Sequence, residues 1–274
     1  MIDPKTQAEL RAKYNPDGSP MRELQLRTLD ILKYIDELCQ KHDIKYWLSS
    51  GNCIGLVRHG GFIPWDYDVD VEMLREDYLK FEKVFKETDD FLLHSRKNDD
   101  AYIIPFSKIR DKNSYLEEDS GLDVLYKYRG IYVDLLQLEY SHRSVCKFTI
   151  NCRHFISKFL IKRKANIFII KLFKFVLYCL IPICRFFCMF IPGKKLRHTY
   201  GAAWLDKTRE PQDIFPLKRA FFEGVEVNIP NNIDRYLTRI YGDYMKLPSE
   251  DEINQSFAHV KKLIFFNRSN NLVK

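Results

Sequence analysis

A chain of 274 residues with 46% hydrophobic and 30% charged residues can bury one sizeable core and a smaller appendage, which excludes a disordered or fibrous protein. Its net charge of +7 is unevenly spread: Ser141 to Tyr200 holds thirteen Lys or Arg and no Asp or Glu, so the remaining residues sum to −6. The composition describes an acidic body with one basic insert, not a uniformly basic nucleic-acid binder.

Residues 1–18 are polar and close on the turn Asn15-Pro16-Asp17-Gly18, which predicts a surface arm. They lack the apolar core of a signal peptide, so a cytoplasmic setting is expected. Ser19 and Pro20 read as N-cap and first helical residue. Leu24, Ile31, Ile35, Leu38 and Cys39 then recur at helical spacing and predict a helix from Met21 to His42. Ile44 to Leu48 reads as a short strand, Ser49-Ser50-Gly51-Asn52 as a turn, and Cys53 to Arg58 as a helix broken by His59-Gly60-Gly61. Val69 and Val71 alternate with aspartates, the period of a strand, and Asp77 to Glu87 is a helix candidate. Phe91–Ser95 and Ile103–Arg110 are strand candidates joined across the polar stretch Arg96–Asp100, and Gly130 to Leu138 is a buried strand. This alternation predicts an α+β (α/β-like) fold with a mixed sheet flanked by helices.

Residues 141–200 are a different material, in which nine phenylalanines mix with Ile, Leu, Lys and Arg. Phe175–Ile191 is apolar except for Arg185 and is interrupted by Pro182; its length lies at the lower edge of the roughly 17–25 residues a membrane span needs. Basic and apolar residues interleaved at helical spacing suit a helix lying on anionic lipid. Packing helices and a nucleic-acid patch are the other readings; the aliphatic content is too high for a phosphate-tracking face, so no nucleic acid is expected. The cysteines at 39, 53, 146, 152, 179, 184 and 188 are odd in number and lack paired CxxC spacing, which points to a reduced compartment rather than a disulfide or zinc framework. After the insert, Phe221 to Val227 reads as a hairpin or strand, and Asn232 to Tyr241 as a helix ended by Gly242. The organisation expected is an arm (1–18), a catalytic core (19–140), the insert (141–200) and a C-terminal part completing the core (201–274).

The chemistry concentrates in Phe62-Ile-Pro-Trp-Asp66-Tyr-Asp68-Val-Asp70-Val-Glu-Met73. Residues two apart on a strand share a face, so Asp68 and Asp70 present two carboxylates side by side while Val69 and Val71 enter the core. Like charges that close repel, and burial removes the water that would screen them. A divalent cation resolves the conflict, and Mg²⁺ takes one or two carboxylates together with waters and substrate phosphates. Asp134, alone among Ile131, Val133 and Leu135, supplies a third ligand if its strand lies beside Asp68–Asp70. Upstream, Ser50-Gly51 sits at a strand-to-helix turn, where backbone amides form an anion site. A Gly/Ser turn, Asp-x-Asp on a strand and a third acid together resemble the nucleotidyltransferase fold.

The block from Trp47 to Val71, WLSSGNCIGLVRHGGFIPWDYDVDV, resembles the signature of the LicD family, phosphocholine and related phospho-alcohol transferases similar to the fukutin-related ribitol-phosphate transferases. Gly130-Ile-Tyr-Val-Asp-Leu135 resembles the family's third-acid strand, and Tyr236 to Pro248 its C-terminal block. The departures are Asn52, Cys53 and Ile54 in the phosphate turn and Tyr67 where the family often has Asp; Tyr67 is expected to point away from the metal face. The resemblance implies Mg²⁺- or Mn²⁺-dependent transfer of a phospho-alcohol from a CDP-alcohol donor to a glycan hydroxyl, releasing CMP. It implies Asp68, Asp70 and Asp134 as metal-holding and catalytic acids, with Asp66 in support. Ser50 and Gly51 take phosphate, and Lys108, Arg110 and Arg58 neutralise the diphosphate. With the insert against an anionic membrane surface, the expected location is the inner face of the cytoplasmic membrane. Two rivals remain: transfer of the nucleotide monophosphate itself, and a catalytically silent scaffold for glycan assembly.

Overall fold

In the computed structural model, which describes residues 1–118, 123–202, 207–257 and 260–266, the predicted surface arm is a helix, α1 (Pro4–Tyr14), capped by Asp3. Its polar sequence hid it, because α1 buries no side chain fully and shows no apolar stripe. Helix α2 (Pro20–Lys41) follows, with Ser19 Oγ accepting from the Arg22 amide at 3.2 Å and Pro20 in the first turn. Leu24, Ile31, Leu32, Ile35 and Cys39 form its buried stripe. Each aliphatic side chain so buried contributes on the order of 1.5–3 kcal/mol.

The sheet begins with β1 (Tyr46–Leu48), then a five-residue helix α3 (Ser50–Ile54) that runs into a π-helical turn over Gly55–His59. A Cβ on Gly55 would stand 2.3 Å from the Gly61 carbonyl oxygen, so this tight return admits no side chain there. β2 (Val69–Leu74) leads into α4 (Arg75–Val84), two residues earlier than the predicted Asp77 start. β3 (Phe91–His94) and β4 (Ser107–Asp111) are antiparallel; Ile103–Phe106, expected as strand, is irregular chain. β5 (Ser114–Glu118) precedes β6 (Tyr132–Ser141), the longest strand. A Cβ on Gly130 would meet the Asp111 carbonyl oxygen at 1.9 Å, which makes glycine obligatory where β6 enters the sheet.

Helices α5 (Arg143–Lys162) and α6 (Ile167–Cys188) form the insert, and β7 (Lys195–His198) returns the chain to the sheet. Helix α7 (Pro211–Ile214), the hairpin β8 (Lys218–Phe222) and β9 (Val225–Ile229), α8 (Ile233–Tyr241), α9 (Glu250–Phe257) and β10 (Val260–Phe265) complete the described chain. Gly242 ends α8 at φ +72°, as its position predicts.

The main sheet runs β1-β2-β6-β4-β3, with β7 pairing the far half of β6. Among the described residues only β2 and β6 of this sheet are parallel; the other pairs are antiparallel, so the sheet is mixed and the fold is α+β. Its core gathers Trp47, Val69, Val71, Val133 and Leu135 beneath the stripe of α2, and α8 packs on α3 and α7 with Tyr236 and Leu237 entering the core. A second apolar cluster joins Tyr102, Ile103 and Tyr126 to Ile156 and Leu160 of α5 and to Ile170 and Leu177 of α6. The insert therefore packs on the body through one face only.

Candidate active site

The row that matters crosses three strands. Asp70 on β2 is the register partner of Asp134 on β6, and Asp134 is in turn the partner of Lys108 on β4. Val69, Val71, Val133 and Leu135, the odd members of the alternation, are fully buried on the opposite face. Asp68 lies just before β2 and is exposed, whereas Asp66 and Asp70 are half-buried. Lys108 Nζ stands 2.6 Å from Asp134 Oδ1 and 3.3 Å from the Tyr132 ring centroid.

One ammonium does not balance these acids. Burial pushes the Asp66 carboxyl well above the carboxylate range, and Asp68 and Asp70 add to it. Asp70 is likewise raised well above that range by burial and by Asp68 and Asp134, against the pull of Lys108. Burial outweighs Lys108 at Asp134, whose carboxyl is also raised. Half-buried oxygens that resist ionisation for want of positive charge are the donor set a hard divalent cation takes, so Mg²⁺ fits them by chemistry. Among the described residues no three His, Cys, Asp or Glu side chains already stand in ligand geometry around one point.

Asn52 ties the turn to the acids. Its Oδ1 accepts the Asp70 amide at 2.8 Å and its Nδ2 donates to the Asp68 carbonyl at 2.9 Å. The turn itself is strained: Ser50 sits at φ +40°, in the left-handed region. Its amide donates to Tyr236 Oη at 3.3 Å, so it is not the free anion donor that the turn alone suggested. Gly51 lies against the acids, a Cβ there falling 3.4 Å from Asp66 Oδ2.

Behind Asp70 the alternation continues to Glu72, which is fully buried. Its carboxylate accepts from Trp47 Nε1 and Ser49 Oγ, both at 2.9 Å, from Tyr236 Oη at 3.0 Å, and from Arg209. His198 Nε2 completes the ring at 2.9 Å. Burial alone would raise the Glu72 carboxyl; Arg209 and His198 overcome it and hold it below the usual range. Sequence reading passed over Glu72, although the two-residue spacing from Asp70 was the signal; Arg209 and His198 carried none, standing over 120 residues away.

A cavity of about 830 Å³ opens beside the acids. Asp68, Lys108, Arg110 and Tyr132 line one side and Arg153, Ser157 and Lys158 of α5 the other. Tyr67 also faces it, with its hydroxyl donating to Glu118 at 2.7 Å, so it does not point away from the site as expected. Arg110 is half engaged, donating to His94 Nδ1 at 2.8 Å and to the Gly130 carbonyl at 2.6 Å. Arg58 is a correction. It is buried away from the cavity, and its guanidinium donates to the Tyr244 and Lys246 carbonyls at 3.1 and 3.0 Å, tying the C-terminal block to the core.

Residues 43–150, from before β1 into α5, match the family model described as LicD/FKTN/FKRP, nucleotidyltransferase domain. The chain is 30% identical over 253 residues to the lipopolysaccharide cholinephosphotransferase LicD of Haemophilus influenzae, covering 85% of this chain and 94% of that protein. A shorter likeness, 42% over 53 residues, joins it to ribitol 5-phosphate transferase FKRP of Homo sapiens, covering 19% of this chain and 11% of that protein. A relationship that runs nearly end to end, on a sheet whose acids converge as described, means that this chain belongs to the LicD family and is a phosphotransferase.

Proposed function

We propose that the protein transfers a phospho-alcohol such as phosphocholine from a CDP-activated donor to a hydroxyl of a lipopolysaccharide-type glycan, releasing CMP. The observation that carries this reading is the row Asp70–Asp134–Lys108 with Asp68 and Asp66 at its lip, supported by the likeness to the lipopolysaccharide cholinephosphotransferase. Asp68 and Asp70, with Asp134 opposite, hold Mg²⁺, which supplies charge neutralisation at the transferring phosphorus. The acceptor oxygen attacks the phosphorus bearing the alcohol. Its bond to the bridging oxygen breaks, and that oxygen leaves with the electron pair as part of CMP. Asp134 either completes the metal site or takes the acceptor proton. Lys108 and Arg110 face the diphosphate from the cavity side. Asp66 steadies Asp68, and Ser50 and Gly51 lie on the leaving-nucleotide side of β2.

The same reading puts the protein at a membrane surface. Phe168, Phe175, Phe187 and Phe190, in and just after α6, are 62–79% exposed, and the insert around them carries only basic charge. α6 is long and apolar enough to cross a bilayer, but β6 and β7 at the two ends of the insert pair in one sheet. A hairpin rooted at both ends in that sheet lies along anionic lipid rather than through it.

The test is direct. Protein incubated with Mg²⁺, CDP-choline and lipopolysaccharide should release CMP in step with choline appearing on the glycan. Pyrophosphate release from a nucleoside triphosphate, without CMP from CDP-choline, would replace this reading by nucleotidyl transfer.

A further inference from the structure

The far wall of the cavity carries a feature that the acids do not explain. Ser157 and Tyr126 are each only 7% exposed and line the cavity, and neither hydroxyl has a hydrogen-bond partner among the described residues. An unpartnered buried hydroxyl is destabilising unless something arrives to bond it. Beside them stand Arg153 and Lys158, five residues apart on α5 with Ser157 between them in sequence. Arg153 gives its Nε to the Gly201 carbonyl and neighbours Tyr126 closely enough to act on it electrostatically. Arg153 also meets His154 Nε2 at 3.1 Å, no ion pair joins either cation to an acid among the described residues, and the insert offers no acid of its own. Of the acids that share the cavity, Glu118 accepts from Tyr67 and Tyr132, Asp123 pairs with Arg129 at 3.4 Å, and Asp68 belongs to the acid row on the opposite side.

We infer that Arg153, Ser157 and Lys158 of α5, with the Tyr126 hydroxyl, form an anion subsite that takes a phosphate or carboxylate carried by the acceptor glycan. Two cations and two unfilled hydroxyls lining one cavity are the complement of a tetrahedral or planar oxyanion. The assignment to the acceptor rests on the function proposed above and on topology. The Ser50 turn follows β1, on one flank of β2, whereas the cavity is walled by β4, β6 and α5 on the other. In-line displacement needs the attacking and leaving oxygens on opposite sides of the phosphorus. With the nucleotide leaving on the turn side, the acceptor enters from the cavity, and its anionic group reaches α5 while its hydroxyl reaches Asp134.

Glucose 6-phosphate, glucose and CDP-choline, each titrated into the full chain with Mg²⁺ by calorimetry, decide this. Glucose 6-phosphate should bind the wild type more tightly than glucose does. Lys158→Gln, at an exposed position where folding is undisturbed, should weaken it about tenfold, and Arg153→Gln by at least as much. Binding of CDP-choline should change less than about twofold in both variants. Equal binding of glucose 6-phosphate by wild type and Lys158→Gln overturns the subsite. A loss that falls on CDP-choline instead overturns the acceptor assignment and gives these residues to the donor. Failure of CDP-choline to bind the wild type removes the donor reading alone, since the glucose 6-phosphate titration does not involve it.

Discussion

Asp70 and Asp134 face one another as register partners on the parallel pair β2 and β6 of the main sheet. Adjacent parallel strands hold partner side chains on one face, so the two carboxylates converge without any loop having to order. Changing Asp70 to Asn keeps the shape and removes the charge. Transfer should fall by at least about 100-fold, with the fold retained by circular dichroism. Mg²⁺ should also lose its stabilising effect on thermal unfolding in the variant. Near-normal turnover, or an unchanged response to Mg²⁺, would remove Asp70 from the metal set.

Asn52 acts through those acids rather than on substrate. It accepts the Asp70 amide and donates to the Asp68 carbonyl, fixing the backbone from which both carboxylates project. Asn52→Ala removes two hydrogen bonds from a buried position, worth about 1–3 kcal/mol together in denaturant unfolding. A positioning role predicts more than that: kcat should fall about 10–100-fold while the donor KM moves little. A loss of stability with kcat intact would make Asn52 a structural residue only.

Glu72 and Arg209 are a buried ion pair, their side chains each no more than 1% exposed. Removing one partner leaves the other charge buried and unpaired, which is destabilising by about 3–5 kcal/mol. Arg209→Met should therefore lower stability severely, while Glu72→Gln with Arg209→Met should recover part of the loss. Urea denaturation of the two single variants and the double variant measures this coupling. Additive losses would mean that the other four partners of Glu72, not Arg209, hold it.

The sequence carried the local half of this architecture and not the long-range half. Period-2 alternation marked Val69, Val71, Val133 and Leu135 as core, and the carboxylates between them as a site, because a strand's two faces are written in consecutive residues. Pairing is not written that way. β5 and β10 escaped notice, since a two-stranded ribbon at the edge buries little and its short strands lack a clean pattern. Arg58 looked like a diphosphate ligand by its place before a glycine turn; its burial against Tyr244 and Lys246 depends on a C-terminal block nearly 190 residues on. The cavity wall from α5 was invisible for the same reason, because composition favoured lipid over packing helices for the insert and named no partner for it.

His94 sets a pH dependence of stability. Fully buried, it accepts from Arg110 at Nδ1 and donates from Nε2 to Asp99, both at 2.8 Å, so it is a neutral imidazole. Burial is the main cause that lowers its pKa to about 4, with Arg110 also opposing protonation and Asp99 pulling the other way. The unfolded chain, titrating near 6.5, binds this proton first. Stability from neutral His94 is therefore complete above about pH 6.5 and is lost as pH falls toward 4, by up to about 1.4 kcal/mol per pH unit. Unfolding of wild type and His94→Gln compared between pH 7 and 4.5 isolates it: the gap between them should close as pH falls. A gap constant with pH would mean that His94 does not titrate in this range.

The exposed face of α6 makes the most distant prediction from chemistry. Phe168, Phe175 and Phe187 project from the body on a helix whose opposite face, through Ile170 and Leu177, packs on Tyr102 and Tyr126. Lys162, Arg163 and Lys164 cluster at the turn between α5 and α6, where each basic residue near anionic lipid contributes about 1 kcal/mol. Phe168→Ser with Phe175→Ser leaves the buried face and the cavity wall untouched. It should shift the protein from the floating to the soluble fraction with vesicles containing phosphatidylglycerol, as should Lys162→Glu with Lys164→Glu. Raising salt should release the wild type only in part, because the apolar contacts are not screened. If all variants float as the wild type does, or if the wild type stays in solution, the exposed phenylalanines meet something other than lipid.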